Sequence, residues 1–549
     1  MKGQLKFITC GSVDDGKSTL IGHLLYDAKL IYADQKRALE LESKTGSRGG
    51  KLDYSLLLDG LTEEREQGIT IDVAYRYFKT DRRSFIVADC PGHEEYTRNM
   101  AVGASFAELA VILLDATKGV LVQTRRHARI CALMGIEHFV FVVNKMDLAN
   151  YEEATFRKIE AEIAELAGEL GLKDVVVIPV SATEGDNVTH ASANMPWYPG
   201  KTVLAQLEDV DVATREHEQG FYMPVQRVCR PNHTFRGFQG QVESGSVHVG
   251  DELTVLPSGQ KARVKRLIVG FDDADEAGVG KPVNIQLDRE VDVSRGCVLE
   301  GVSGVGVANS LEVDLLWMDD VALNEGSDFL VKLGASQVPG VVEKVEYVVD
   351  VNTGEHHEAH GLRKNEMARV HLSLTTPVPA ARFADHRTAG ELILIDRVSN
   401  MTSACGVVRA AERSQGASAD YKVTPWSRAR QKGQHALVVG LPGLDADATA
   451  QVEARLALGG RHTLAIAAGG VGEALAPVAR ALHDAGVIAL VSGGEAELAG
   501  LREALGSSYT DASALAGADA SDTAVLADAI VRATRLNADI DSDYAPSYI

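Results

Sequence analysis

The chain has 549 residues, a length that predicts about three to five domains because a single hydrophobic core stops growing well below this size. Apolar residues make up 45% and charged residues 24% of the chain, which is the composition of an ordinary globular protein. The formal net charge of -22 argues against electrostatic capture of nucleic acid, which needs a positively charged surface, and we expect no nucleic-acid partner.

The cysteines and the apolar segments indicate the compartment. The cysteines lack C-x-x-C spacing, which argues against a zinc site or a disulfide framework and favours free thiols in a reducing compartment. No apolar run approaches the length of a membrane span, and we expect no signal peptide because the first residues lead directly into a predicted strand. We therefore expect a cytoplasmic protein that does not contact membranes. The cysteines are Cys10, Cys90, Cys131, Cys229, Cys297 and Cys405.

A phosphate-binding loop follows the first predicted strand, at residues 5–10. The stretch fits G-x-x-x-x-G-K-[ST], in which main-chain N–H groups surround phosphate oxygens at the start of a helix. Lys17 would neutralise the β- and γ-phosphates, and the Ser18 hydroxyl would ligate Mg²⁺. The alternative is a glycine-rich turn that fits the pattern by chance. The predicted nucleotide-binding residues here are Gly11, Ser12, Val13, Asp14, Asp15, Gly16, Lys17, Ser18 and Thr19.

A charged segment at residues 61–72 leads into a strand of alternating polarity at residues 73–78. Thr70 lies just before this strand, where a second hydroxyl can ligate Mg²⁺ when the γ-phosphate is present. We therefore predict Thr70 as a metal ligand and as a catalytic residue with Lys17. Alone, a threonine at such a position is more often a strand former than a ligand.

The next predicted strand ends in a carboxylate, and its loop contains a glycine and a histidine. Asp89 is predicted to lie near the metal, and the Gly92 amide near the γ-phosphate. His93 would then stand beside the scissile bond and orient the attacking water, although a lone loop histidine is usually only solvated. Cys90 and Pro91 complete this predicted nucleotide-binding segment.

Two further strand ends carry groups suited to guanine. The Asp147 carboxylate can accept hydrogen bonds from guanine N1–H and the exocyclic amine, which adenine does not offer at these positions. Lys145 would lie along the base plane, and a backbone amide at Ser181 or Ala182 would reach guanine O6. Asn144 and Met146 complete the predicted base-binding set.

Residues 1–208 alternate between predicted strands and helices, which is typical of a parallel sheet covered on both faces. These motifs and their order resemble GTPases of the translation-factor family. An elongation factor typically reads GHVDHGK where this chain reads GSVDDGK, and the sequence more closely resembles the GTPase subunit of bacterial heterodimeric sulfate adenylyltransferases. That resemblance rests on DGL at 59–61, EREQGITIDVAYRYF at 64–78, YTRNM at 96–100, GDNV at 185–188 and NMPWY at 194–198.

Beyond an acidic linker at residues 208–218, short strands and turn residues replace the strand–helix alternation. This texture predicts two small β-barrels, at residues 219–306 and 307–428. Two barrels after a GTP-binding domain are the layout of translation factors, and VDVSRG at 291–296 continues the sulfate adenylyltransferase resemblance. We interpret the barrels as a partner-binding surface, and the alternative is that they are only a scaffold.

The last segment, residues 434–549, is rich in Ala, Gly and Leu and resembles adenylylsulfate kinases, which are often fused to this GTPase subunit. The kinase loop would read GLSGSGK followed by Ser or Thr, whereas Asp447 or a neighbour occupies the lysine position and repels phosphate. The acidic D-G-D motif of the kinase is also not visible. We therefore predict a degenerate, catalytically inactive kinase-like α/β domain, and the alternative is an unrelated α/β appendage.

The predicted fold class is an α/β P-loop GTPase domain followed by two β-barrel domains and a C-terminal α/β domain. The resemblance implies a GTPase subunit that uses GTP and Mg²⁺, with a smaller ATP-pyrophosphatase-type subunit that makes adenylylsulfate and pyrophosphate from ATP and sulfate. GTP hydrolysis would help to drive that uphill reaction. The alternatives are a translation factor and a bifunctional enzyme with an active adenylylsulfate kinase.

Overall fold

The computed structural model describes residues 3–27, 54, 71–212, 220–232, 235–350, 353–413 and 423–536. The first module is a six-stranded sheet in the order β2-β3-β1-β4-β5-β6, in which only β2 is antiparallel to its neighbour. Its strands are β1 (Gln4–Cys10), β2 (Ala74–Lys79), β3 (Ser84–Asp89), β4 (Leu109–Asp115), β5 (His138–Asn144) and β6 (Asp174–Pro179).

Helices cover both faces of this sheet, which explains why its central strands are almost continuously apolar. Phe7 and Val111 belong to one buried cluster, while their chain neighbours Ile8 and Ile112 belong to the other. Since the strands are parallel, the carboxyl ends of β1, β3, β4, β5 and β6 meet at one edge. The helices are α1 (Lys17–Asp27), α2 (Thr97–Phe106), α3 (Val122–Leu133), α4 (Glu153–Leu170) and α5 (Val203–Asp209).

The second module is a β structure with a main sheet in the order β7-β16-β11-β12-β15-β9-β8. Along β12 the buried Ala262 and Val264 alternate with exposed residues, and Leu267 faces the core again after a register shift between Val264 and Arg266. Its strands are β7 (Phe221–Pro224), β8 (Arg227–Asn232), β9 (Phe235–Gln241), β10 (Ser246–His248), β11 (Glu252–Leu256), β12 (Gln260–Val269), β13 (Asp272–Ala274), β14 (Glu276–Gly278), β15 (Pro282–Leu287) and β16 (Val298–Gly301).

The third module has the strand order β19-β24-β25-β17-β23-β20-β21, and it is a closed barrel because the end strand β19 also pairs with β20. Trp317 is fully buried in this barrel, and its indole Nε1–H donates to the Val321 carbonyl at 2.9 Å. The elements are β17 (Gly306–Trp317), β18 (Leu323–Asn324), β19 (Ser327–Leu333), β20 (Ser336–Val349), β21 (His356–His357), β22 (Gly361–Leu362), β23 (Met367–Ala380), α6 (Arg387–Gly390), β24 (Glu391–Ile395) and β25 (Thr402–Glu412).

The last module is a four-stranded parallel sheet in the order β27-β28-β26-β29. The described residues therefore contain the α/β, two β and α/β modules in the predicted order, and the predicted fold class is confirmed. The elements are α7 (Pro425–Gln431), β26 (Leu437–Pro442), α8 (Ala446–Leu458), β27 (Thr463–Ala467), α9 (Ala468–Val471), α10 (Leu475–Asp484), β28 (Ile488–Gly493), α11 (Glu495–Leu505), β29 (Tyr509–Asp511), α12 (Ala512–Ala516) and α13 (Thr523–Ala533).

Helix α7 attaches this last module to the closed barrel. The buried Arg430 guanidinium lies 4.4 Å from the ring centre of Phe329 in the barrel, and its Nη2 is 3.2 Å from Asp396 Oδ2. On the other side, the buried Gln434 side chain donates to the carbonyls of His462 (2.9 Å) and Gly486 (3.0 Å). A buried cation paired on one side and a buried amide on the other fix the orientation of the last module.

Candidate functional site

The loop between β1 and α1 needs glycine at both ends. A Cβ at Gly11 would lie 2.6 Å from the Leu113 carbonyl oxygen, and a Cβ at Gly16, whose φ is +89°, would lie 2.5 Å from Asn144 Nδ2. Asp14, the exposed tip of the loop, has a φ of +68°. The loop therefore passes against two neighbouring strand ends, which is the close backbone approach that the predicted phosphate loop requires.

The Lys17 side chain is buried and crosses the loop. Its Nζ donates to the carbonyls of Gly11 (3.0 Å) and Ser12 (2.9 Å), two neutral acceptors that do not compensate its charge. Asp15 Oδ2 accepts from the Ser12 amide at 2.7 Å, and burial raises the pKa of the Asp15 carboxyl. The Ser12 hydroxyl is buried and has no hydrogen-bond partner among the described residues. An ammonium and an unpaired hydroxyl at one loop suit a phosphate oxygen.

Two of the three predicted metal ligands lie in the described part of the chain. Ser18 is in the first turn of α1, and Asp89 is the last residue of β3, where its Oδ1 accepts from Thr9 Oγ1 at 3.0 Å. Thr70 lies outside the described residues. No group of three His, Cys, Asp or Glu side chains in the described ranges could hold a metal, so hydroxyl and nucleotide oxygens would have to complete the coordination of Mg²⁺.

The loop after β3 packs directly on the phosphate loop. Cys90, Pro91 and Gly92 are buried, and a Cβ at Gly92 would overlap the Gly11 carbonyl and lie 2.8 Å from Lys17 Nζ. Burial raises the pKa of the Cys90 thiol well above its ordinary value, so this thiol stays protonated. The loop therefore brings the Gly92 backbone to the end of the Lys17 side chain.

His93 is exposed, unlike the three residues before it. Its Nδ1 accepts from the Glu95 amide at 3.2 Å and caps the short 3₁₀ helix Glu94–Tyr96. Because Nδ1 accepts this hydrogen bond, the ring N–H of His93 is on Nε2. The predicted water-positioning residue thus lies beside Gly92 and presents Nε2 as its remaining polar atom.

Asn144 connects three loops of the candidate site. Its Nδ2 donates to the Asp15 carbonyl at 2.8 Å, and its Oδ1 accepts from the Ala182 amide at 2.9 Å. The buried Met146 continues the same turn, and its amide donates to the Val180 carbonyl at 3.1 Å. The phosphate loop and the two predicted base loops are therefore joined through one side chain.

The base-binding groups are themselves held by neighbours. Asp147 Oδ1 accepts from Ser181 Oγ at 2.7 Å, and Lys145 Nζ donates to Asp115 Oδ2 at 2.9 Å. The Ser181 amide donates to the Asp186 backbone carbonyl at 3.2 Å, and the Ala182 amide donates to Asn144 Oδ1. Both amides predicted for guanine O6 are thus already engaged within the protein, a pairing that strand-end positions alone do not disclose.

Sequence reasoning missed two residues of the site. Asp115 is the last residue of β4, so the rule that found Asp89 and Asn144 at their strand ends could have found it. His23 lies in α1, stacks on Tyr54 with ring centres 4.3 Å apart, and is hydrogen-bonded through Nδ1 to the Ala182 carbonyl at 2.7 Å. Nothing in the sequence singles out His23, because only the fold brings α1 against the base loop.

The family comparisons agree with this geometry. Residues 2–223 match the family model described as Elongation factor Tu GTP binding domain, and residues 310–409 match GTP-eEF1A C-terminal domain-like. The fold and the site thus define a GTP-binding protein of the translation-factor class, and the prediction of GTP as the bound nucleotide is confirmed. No helix within the described ranges has the length and apolar character needed to cross a membrane.

The relatives identify the family within that class. The chain is 47% identical to sulfate adenylyltransferase subunit 1 of Sulfurovum sp. over 75% of this chain and 88% of the relative, and 49% identical to the Cellvibrio japonicus protein of that name over 74% and 87%. The chain belongs to the sulfate adenylyltransferase subunit 1 family. The predicted family and enzyme class, a GTP-hydrolysing subunit of sulfate adenylyltransferase, are therefore confirmed.

A further relative is longer than the chain. The chain is 46% identical to the bifunctional enzyme CysN/CysC of Xylella fastidiosa over 90% of this chain and 83% of the relative. A match of this extent continues past residue 433 into the last module. The similarity therefore includes a part of the chain that lies beyond both barrels.

The close packing at Gly92 gives a first prediction. Gly92→Ala forces the Lys17 side chain and the phosphate loop away from β3, and we expect about a tenfold loss of affinity for a fluorescent GTP analogue, the scale of one overpacked methyl group. Gly168→Ala, a helix-surface change with nothing within 4 Å, serves as the control and should bind as the wild type does. Unchanged affinity in Gly92→Ala would contradict the contact.

Proposed function

We propose that this chain hydrolyses GTP with Mg²⁺, and that hydrolysis drives the formation of adenylylsulfate and pyrophosphate from ATP and sulfate by a smaller, ATP-pyrophosphatase-type partner subunit. The name "subunit 1" of its relatives supports a partner. The observation that carries the proposal is that Asn144 joins the phosphate loop to the base loops at one sheet edge. The division into domains at 1–208, 219–306, 307–428 and 434–549 is part of this proposal.

The residues at the phosphate end divide the work. Lys17 would exchange its two carbonyl acceptors for β- and γ-phosphate oxygens, which carry full charge and bind an ammonium more strongly. Ser18, Thr70 and Asp89 would hold Mg²⁺, which neutralises charge on the β- and γ-phosphates when bound. The Gly92 amide would bind the γ-phosphate, and His93 would orient the attacking water through Nε2.

The residues at the base end provide selectivity for guanine. Asp147 would accept from guanine N1–H and the exocyclic amine, and its bond from Ser181 Oγ holds the carboxylate in place. Lys145 would lie along the base plane. The Ala182 amide would share its hydrogen between Asn144 and guanine O6. The remaining residues of the predicted phosphate loop would surround the phosphates with backbone amides.

Helix α2 supplies a physical link from the γ-phosphate loop to the closed barrel. Arg98 Nη2 donates to the carbonyls of Met318 (3.2 Å) and Thr402 (3.0 Å), which both belong to the barrel module. In the same turn, Asn99 Nδ2 donates to the Ile71 carbonyl at 2.8 Å, next to Thr70. A shift of the loop at Gly92, or of the segment at Thr70, on hydrolysis would therefore be transmitted to the barrel, where we place the partner surface.

Mixing the full chain with the separately purified candidate catalytic subunit tests the coupling. GTP turnover should rise, and adenylylsulfate should appear, only when ATP and sulfate are both present. Arg98→Met removes the two bonds to the barrel and should abolish most of the stimulation, while the turnover of the isolated chain changes less than about twofold. Arg157→Met, on the exposed surface of α4, is the control. GTP turnover that does not change when the partner is added would refute the proposed coupling.

Base selectivity is tested by Asp147→Asn. An amide in place of the carboxylate loses two charge-assisted hydrogen bonds to guanine but can donate to the C2 carbonyl of xanthine, so GTP affinity should fall about a hundredfold while XTP affinity rises. Competition between the two nucleotides for the fluorescent analogue measures the change. Equal preference for guanine before and after the substitution would refute the assignment of Asp147.

For the last module we propose a degenerate adenylylsulfate-kinase-like domain without kinase activity. After β26 the chain turns at Gly443, whose φ is +78°, and Asp445 caps α8 by accepting from the Ala448 amide at 2.8 Å. A carboxylate thus occupies the helix N-terminus at which a kinase would bind phosphate. The match to the bifunctional enzyme CysN/CysC extends into this module and supports its origin as a second enzymatic domain.

The proposed lack of kinase activity in the last module can be tested directly. The full chain, supplied with ATP and adenylylsulfate but no GTP or partner, should release no ADP above background, because the Asp445 carboxylate repels phosphate. An active adenylylsulfate kinase provides the positive control. Release of ADP that depends on adenylylsulfate, and that a substitution in β26 or α8 removes, would show that the domain is an active kinase.

A further inference from the structure

Asp115 ends the most buried strand of the first sheet. Every residue of β4 is buried, and only 3% of the Asp115 surface is exposed. A carboxylate at such a position is costly unless charged or hydrogen-bonding partners satisfy it. The identity of those partners therefore indicates what the residue does.

Both oxygens of this carboxylate are engaged. Oδ1 accepts from the Thr117 amide at 2.8 Å and from Thr117 Oγ1 at 2.6 Å, which fixes the plane of the carboxylate. Oδ2 accepts from Lys145 Nζ at 2.9 Å. Burial alone would raise the pKa of Asp115, but the hydrogen bonds from Lys145 and Thr117 outweigh it and lower the pKa below its ordinary value. The carboxylate is therefore ionised and rigid.

Lys145 needs such an anchor for two reasons. Its backbone has a φ of +61°, a conformation that costs a residue other than glycine free energy and persists only where the surroundings impose it. Its side chain is a flexible four-carbon stem that loses rotamer freedom when it is ordered. Asp115 is opposite Asn144 in the β4–β5 register, and the Ala116 amide donates to the Asn144 carbonyl at 2.8 Å. The anchor is thus attached to the strand end that carries Lys145.

We propose that Asp115 is a positioning residue for base recognition: it holds the Lys145 ammonium at the end of β4, so that the Lys145 stem is ordered along the plane of the guanine before nucleotide binds. This inference rests on the guanine site of the proposed function and adds the residue that pre-orders it. Because the stem contacts the face of the base, the contribution of Asp115 does not depend on the substituent at C2 of the base. This separates it from Asp147, which reads the exocyclic amine.

Another cation lies near the same carboxylate. Lys118 Nζ is 4.0 Å from Asp115 Oδ2, and 47% of the Lys118 side chain is exposed. This distance is longer than a hydrogen bond, and an exposed lysine pair contributes little. Lys118→Met therefore offers a matched control: it removes a lysine from the same carboxylate but leaves the Lys145 contact.

The test is a double-mutant cycle on the full chain, with GTP and ITP affinities measured by displacement of a fluorescent GDP analogue. Asp115→Asn retains the shape and can still accept from Thr117, and should lower both affinities by the same factor, about tenfold. Lys145→Met should cost at least as much, and Asp115→Asn should then add nothing in the Lys145→Met background. Lys118→Met should stay within about twofold of the wild type.

The outcomes separate the inference from the proposed function. If the wild type fails to bind GTP, the guanine site itself is refuted. If the wild type binds GTP but Asp115→Asn binds equally well, or if the losses from Asp115→Asn and Lys145→Met add, the positioning role is overturned. Asp115→Glu, which retains the charge, should recover part of the affinity, whereas a loss of thermal stability shared by Asn and Glu variants without such recovery would mark a purely structural role.

Discussion

The site depends on the two hydrogen bonds made by one buried amide, Asn144. Its nitrogen binds the carbonyl of Asp15 and its oxygen binds the amide of Ala182, so the loops that we assign to phosphate and to base cannot move independently. A parallel sheet brings these loops to one edge, but it does not set their spacing. Asn144 sets it, because both partners are backbone groups and a change in loop spacing would leave buried polar atoms unpaired.

Much of this site could be predicted from the sequence because strand-end chemistry is local. Asp89 and Asn144 each end a strand, and the order of the motifs follows the order of the strands along the chain. The same logic did not extend to contacts between side chains from different loops. The bond from Ser181 to Asp147 and the stacking of His23 on Tyr54 depend on tertiary distances that no periodicity encodes.

The type and order of the modules could be predicted from the sequence, but their strand pairing and mutual contacts could not. Short strands with turn residues indicate barrels, but closure of the second barrel depends on pairing between β19 and β20 over a register that hydrophobic alternation leaves open. The contact between the last module and the closed barrel could not be predicted from the sequence either. Arg430 is charged and would therefore be expected on the surface. In the structure it is buried against Phe329 and paired with Asp396. Only the neighbouring barrel makes that burial tolerable.

The strand–turn–helix segments β1–α1 and β26–α8 differ in their electrostatics. In the first, the Asp15 carboxylate turns back onto the Ser12 amide, and Lys17 opens the helix with a positive charge. In the second, Asp445 caps the helix and places its negative charge on the amides that would otherwise bind an anion. A helix N-terminus favours a nearby negative charge, and at α8 the Asp445 carboxylate already supplies that charge. On our proposal, the location of one carboxylate and the presence of one lysine therefore distinguish the nucleotide site from the inactive last module.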